Sequence, residues 1–276
     1  MDEKVLVIKL SALGDVVLAT GAFRTIRERH PGARITLLTR GAFAGLCSAT
    51  GFFDDVVVDN RERYAGFWKI GYKVVARGGY GVVYDLQGQT RTKTYRWIAR
   101  LFAPGRVDWR TGVESPHPPD LSFCHGPRKN FGLLPEKYVL LVPGCSPGHP
   151  YKKWPVERYR ELCARCAERG LECVVSGTSS EAAEIEAICR GNPHAVDFMN
   201  KAELADLPDL ARGAAFVVGN DTGPSHMARI AGARTVTVFS SVTRGSAREA
   251  PNAVNLIKDD IADITVDEVL EAADSL

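Results

Sequence analysis

The sequence predicts an α/β protein made of parallel sheets with helices on both faces, and three observations predict it. Short β-branched runs alternate with stretches of helix length from one end of the chain to the other. The runs are almost continuously apolar, which suits strands covered on both sides. The 276 residues, 45% hydrophobic and 25% charged, are enough for two ordinary domains that each bury a core.

Eight runs read as strands, in chain order: "VLVIKL" (5–10), "RITLLT" (34–39), "DVVVD" (55–59), "GVVYDLQ" (81–87), "YVLLVPG" (138–144), "ECVVSG" (172–177), "AFVVGN" (215–220) and "TVTVFS" (235–240). Amphipathic stretches such as 155–169 and 201–213 supply the helices between them. Residues 110–135 break the alternation, with five prolines and no period, and read as a linker or long loop. Cutting there divides the chain into residues 1–130 and 131–276. Open parallel sheets bind ligands beyond the carboxyl ends of their strands, so the loops after "VIKL", "LLVPG", "VVSG" and "VVGN" are expected to surround one cleft.

Composition excludes several classes. A net charge of +2 lacks the basic excess of a nucleic-acid binder, so no nucleic acid is expected. No apolar stretch approaches the roughly 20 residues that span a bilayer. The start "MDEKVLVIKL" carries acids where a secretory signal has bases, and a cytoplasmic location is expected. The seven cysteines lack the spacing of a disulfide framework and read as reduced thiols. Cys163 and Cys166 form a CxxC, but within a helical pattern and with no second pair, so no metal is expected.

Four loops carry the chemistry. In "KLSALGDVVL", Ser11, Gly14 and Asp15 lie at a strand-to-helix turn. Asp15 either caps the helix or acts as a general base, and the sequence leaves both open. "VPGCSPGHPYKKWP" contains GxSxG, and Asp221 and His226 follow in hydrolase order. That reading fails because Pro147, after the serine, has no N–H for an oxyanion hole. What remains is a small-residue turn followed by Lys152 and Lys153, either a phosphate contact or a solvated basic pair. In "VVSGTSSEAAEIEAI", Glu181 opens a helix and either accepts from ribose hydroxyls or complements the helix dipole. In "GNDTGPSH", Asp221 and Thr222 can cap, Gly223 permits close approach and Pro224 suits the first helical position. The helix that follows offers free N–H groups to an anion such as a diphosphate, with His226 in its first turn.

Together these loops resemble the heptosyltransferases of glycosyltransferase family nine. The matching stretches are "KLSALGDVVLATGAFRTIRERHP", "KKWPVERYREL", "SGTSSEAAEIEAI" and "VVGNDTGPSHMARIAGARTVTVFS". The resemblance implies a GT-B fold, two Rossmann-like domains with parallel sheets facing across a cleft. Residues 1–130 would hold the acceptor and 131–276 the nucleotide sugar. It implies inverting, metal-independent transfer of heptose from ADP-heptose to a lipopolysaccharide inner-core acceptor, with Asp15 as the base. No cofactor is implied, because the ADP-sugar is a substrate. Lys152, Glu181, Asp221, Thr222, Gly223 and His226 would bind the nucleotide sugar, and Ser146 is the hydroxyl left in "CSPGHPY" to join them. Ser11 and Gly14 would border the acceptor.

The acceptor would be a phosphorylated, lipid-linked saccharide, with peripheral contact at the inner face of the inner membrane. Arg61, Arg63, Arg91 and Lys93, with Lys69, Lys73, Arg96 and Arg100 nearby, are basic positions interleaved with aromatics that would meet it; solvated helix faces are the alternative. A GT-B-type epimerase or phosphorylase and a non-catalytic nucleotide-sugar-binding protein are the rival functions.

Overall fold

The computed structural model describes residues 3–60, 65–126, 129–145 and 148–276. Arg61, Arg63 and Ser146 lie outside them. The chain divides into two compact units, Met1–Asp120 and Leu121–Leu276.

The first unit runs β1 (Lys4–Ile8), α1 (Leu13–Leu18), α2 (Thr20–Arg29), β2 (Arg34–Thr39), α3 (Gly41–Ala49), β3 (Asp55–Val58) and α4 (Ala65–Trp68). After α4 the chain continues as a π-helical stretch, Lys69–Ala76, then β4 (Val82–Asp85), α5 (Thr90–Phe102) and β5 (Asp108–Thr111). Its five strands are parallel in the order β3-β2-β1-β4-β5. β1 is central, with Val5 beside Ile35 on one flank and Val82 on the other. A strand bonded on both edges and covered on both faces must be apolar at every position, which accounts for the unbroken run Val5–Ile8.

The second unit runs β6 (Tyr138–Val142), α6 (Val156–Glu168), β7 (Glu172–Gly177), α7 (Ala182–Cys189), β8 (Ala195–Met199) and α8 (Leu207–Gly213). It continues with β9 (Phe216–Asn220), α9 (Gly223–Ile230), β10 (Thr235–Ser240), β11 (Ala253–Lys258) and α10 (Val266–Asp274). The six strands are parallel in the order β11-β10-β9-β6-β7-β8. On α6, Tyr159, Leu162, Cys163 and Cys166 are buried at helical spacing against this sheet. The two CxxC thiols pack with Cys173 of β7 and serve the core. Among the described residues no group of three or more His, Cys, Asp or Glu could hold a metal ion.

Three strands escape the sequence reading, and all three are sheet edges: β5, β8 and β11. An edge strand needs no continuous apolar run, and β5, "DWRT", and β11, "AVNLIK", have none. The helix expected over 201–213 is confined to Leu207–Gly213. Asp206 explains the delay: its carboxylate accepts from the Glu203 N–H and from Lys129 Nζ, holding 203–206 as a turn, and Pro208 then sits in the first helical turn. Pro224 is at the second position of α9, one later than expected.

Candidate active site

Each sheet reverses direction once. In the first unit the chain builds β1, β2 and β3 outward, then crosses back to β4, so the switch lies between β1 and β4. In the second it builds β6, β7 and β8, then crosses to β9, so the switch lies between β6 and β9. Loops diverge at such a point and leave a crevice at the carboxyl ends of the strands. The predicted residues gather at these two places, Ser11, Gly14 and Asp15 at the first and Lys152, Asp221, Thr222, Gly223 and His226 at the second.

At the first switch an amide side chain ties the loops together. Gln87, after β4, accepts with Oε1 from the N–H groups of Leu10 (2.8 Å) and Ser11 (3.0 Å), after β1. Asp85 holds Gln87 in turn, accepting from the Gln87 and Gly88 N–H groups at 3.0 and 2.9 Å. Lys9 donates to the Leu86 carbonyl at 3.1 Å. Burial lowers the Lys9 pKa against the opposing pull of Asp15 and Asp85. Asp15 is exposed in the first turn of α1, and its Oδ2 accepts from the Ala12 N–H at 3.0 Å. Asp15 thus caps the helix with one oxygen, and the other has no hydrogen-bond partner among the described residues. A Cβ on Gly14 would meet nothing within 4 Å, so that position borders open space.

At the second switch the same device recurs. Asn220, fully buried at the end of β9, donates to the carbonyls of Pro143 (2.6 Å) and, more weakly, Gly144 (3.4 Å), after β6. Its Oδ1 accepts from the Trp154 N–H and the Tyr159 hydroxyl, both at 3.1 Å. The next residue, Asp221, is 4% exposed and paired on both oxygens. Lys152 Nζ donates to Oδ2 at 2.7 Å, and His226 Nε2 lies 2.9 Å from Oδ1. Burial opposes ionisation of Asp221, yet the His226 and Lys152 contacts hold its carboxyl below the ordinary range.

Asp221 therefore faces two cation-forming side chains and positions them. Thr222 is the N-cap of α9 but makes no side-chain capping bond, which leaves first-turn N–H groups for an incoming anion. Lys153 diverges from Lys152 and pairs with Glu184. Glu181 is engaged locally: Oε2 accepts from the Thr178 N–H (2.8 Å) and hydroxyl (2.6 Å), and Oε1 from the Ser180 hydroxyl (2.6 Å). Burial raises its pKa, but these bonds outweigh that and hold the carboxyl low. A Cβ on Gly144 would come within 2.5 Å of Glu181 Cγ, so the loops after β6 and β7 touch there.

The basic positions separate. Arg91 grips Asp59, itself 1% exposed, with bonds of 2.8 and 2.7 Å, stacks over Phe67 and Tyr95, and shares Asp59 with the Tyr95 hydroxyl. Its guanidinium is committed inside the first unit. Lys93 is exposed on α5. Sequence reasoning passed over Gln87 and Asn220, because an amide at a strand end reads as ordinary turn chemistry; the signal was their place at the carboxyl ends of β4 and β9, the strands that border the switches.

Acid should loosen the Asp221 cluster. Because the folded carboxyl titrates lower than an unfolded one, its ion pairs stabilise the fold in full above about pH 4, and that contribution fades as pH falls through the folded value. Asp221→Asn is expected to flatten the decline in melting temperature below about pH 4. An unchanged decline would mean other carboxylates govern it.

The family model for "Glycosyltransferase family 9 (heptosyltransferase)" matches residues 73–261, more than half of the chain. The chain belongs to this family. As a member it is a glycosyltransferase. Lipopolysaccharide heptosyltransferase 1 of Escherichia coli K12 is 21% identical over 287 aligned residues, covering 88% of this chain and 89% of that protein. Among solved structures, E. coli ADP-heptose lps heptosyltransferase II superposes with a TM-score of 0.75 at 18% identity, covering 99% of this chain and 98% of that one. E. coli heptosyltransferase WaaC with ADP gives 0.74 at 18% identity, with coverage of 97% and 98%. A family 9 glycosyltransferase from Veillonella parvula gives 0.79 at 17%, with coverage of 99% and 96%. The fold is thus that of the family's GT-B enzymes, two Rossmann-like units each built on a parallel sheet.

Proposed function

We propose that this glycosyltransferase moves heptose from ADP-heptose, with inversion and without a metal ion, onto a phosphorylated, lipid-linked saccharide of the lipopolysaccharide inner core. The observation that carries the reading is the Lys152–Asp221–His226 cluster beside the N-terminus of α9. A departing diphosphate needs positive charge held in place before it arrives, and here an ammonium, an imidazole and helix N–H groups converge. The names of the similar proteins supply the donor and acceptor classes.

In this reading Asp15 takes the proton of the acceptor hydroxyl. The oxygen attacks the anomeric carbon, the bond from that carbon to the β-phosphate oxygen breaks, and ADP leaves with its electron pair stabilised by Lys152 and α9. Ser146, Glu181, Thr222 and Gly223 complete the nucleotide contacts, Glu181 exchanging its capping hydroxyls for those of ribose. The exposed Lys93, with Arg61 and Arg63, meets the acceptor's anionic groups, and the enzyme works in peripheral contact with the membrane that carries this acceptor.

Calorimetry with ADP, UDP, GDP and CDP, followed by mass spectrometry of products from ADP-heptose and truncated core lipids, tests the proposal. Preference for ADP and a heptose mass increment on the lipid are expected. A changed nucleotide sugar without any acceptor would instead indicate an epimerase. Lys152→Ala is expected to weaken ADP binding by about tenfold to a hundredfold, the worth of one charge-assisted contact. Unchanged affinity in a folded variant would remove Lys152 from the site.

A further inference from the structure

We infer that the face formed by α4, the π-helical stretch after it, and α5 docks onto a bilayer surface rich in anionic lipid. The inference goes beyond the donor chemistry above and identifies a surface for the membrane contact; its test needs no nucleotide.

Of the eleven large hydrophobic side chains exposed among the described residues, five lie on these two neighbouring helices: Trp68, Tyr72, Trp97, Leu101 and Phe102. Trp97 and Leu101 are each 55% exposed, and at i, i+4 they share the outer stripe of α5. Tyr72 and Phe102 meet edge to face with ring centroids 4.9 Å apart, which joins the two helices into one apolar patch. Lone exposed hydrophobics are ordinary; a contiguous set with both helices contributing marks an interaction surface.

On the helices themselves the charges have one sign. Residues 65–80 and 86–107 contain eight Lys and Arg and no Asp or Glu. Lys69 and Lys73 flank Trp68 and Tyr72, and Lys93 and Arg100 flank Trp97, all four exposed. Tryptophan and leucine between snorkelling cations is the pattern of a segment lying at the headgroup boundary. At the end of α5, Arg96, Arg100, Asp108 and Trp109 line a hollow of about 150 Å³, and Asp108 is itself paired with Arg110. Two buried donors there, Arg96 Nε and Trp109 Nε1, have no hydrogen-bond partner among the described residues.

Charge also decides against a second copy of the chain. A two-fold dimer through this patch would press the same cations against each other with no acid on either helix to offset them. Single-stranded nucleic acid suits aromatic rings and cations, but Leu101 has no π-face on which a base can stack.

Flotation with vesicles of phosphatidylcholine alone, or with phosphatidylglycerol added, tests the inference. Binding is expected to the anionic vesicles, to fall at least tenfold between low and high salt, and to be weak on phosphatidylcholine. A Trp97→Ser, Leu101→Ser double variant changes only outward-facing positions, so its melting should match the parent while vesicle binding drops at least tenfold. Lys69→Glu with Lys73→Glu should do the same by charge. The inference is overturned by equal binding to both vesicle types, by full binding of both variants, by a dimer in light scattering that the Ser variant dissociates, or by tighter binding to single-stranded RNA than to vesicles.

Discussion

Asp15→Asn is expected to slow transfer by about 10²–10⁴-fold, the usual contribution of a general base, with ADP affinity unchanged. Asn is the informative replacement because the proposal gives Asp15 two tasks, capping and proton transfer. Its Oδ2 accepts from the Ala12 N–H and caps α1, and an amide oxygen can keep that bond. The amide cannot accept the acceptor's proton. Asp15→Ala removes both tasks and should lower stability by about 1 kcal/mol as well, the typical worth of a cap. Comparing the two separates proton transfer from helix capping. Steady-state kinetics gives the first and thermal melting the second; near-parental turnover in the Asn variant would dismiss Asp15 as the base.

The centre of each sheet was plain in the sequence for a physical reason. A strand bonded on both sides and covered on both faces is buried along nearly its whole length and so is rich in apolar residues, as β1, β6, β7, β9 and β10 are. Edges such as β5 and β11 carry no such obligation and left no signal. The loop residues were legible as types, since Asp, Lys, Glu and His beside glycine at strand ends stand out. Their partners were not. Nothing in the spacing says that Lys152 reaches Asp221, 69 residues on, or that Arg91 is drawn back to Asp59. Such pairs follow from which strands become neighbours, a property of the folded sheet. Glu181 and Asp15 looked like a choice between cap and ligand, whereas in the fold each caps from a loop that borders a switch.

Asn220→Ala is expected to cost about 3–6 kcal/mol, more than any other single polar substitution proposed here. The estimate counts what is left behind. Removing the amide strips partners from the Trp154 N–H, the Tyr159 hydroxyl and the Pro143 carbonyl. Trp154 and Tyr159 are buried in the core, so water cannot readily replace the lost bonds. Tyr159→Phe removes one of the three and should cost about 1 kcal/mol. The double variant should then lose less than the sum, because the Tyr159 hydroxyl and Asn220 share one bond. Urea unfolding of the four proteins measures the cycle. The same substitution reaches the proposed nucleotide site: Asn220 fixes the Pro143–Gly144 turn that abuts Glu181, and it immediately precedes Asp221. ADP affinity should therefore fall at temperatures where the variant is still folded. A stability loss below about 1 kcal/mol would mean the switch point is held by backbone pairing alone.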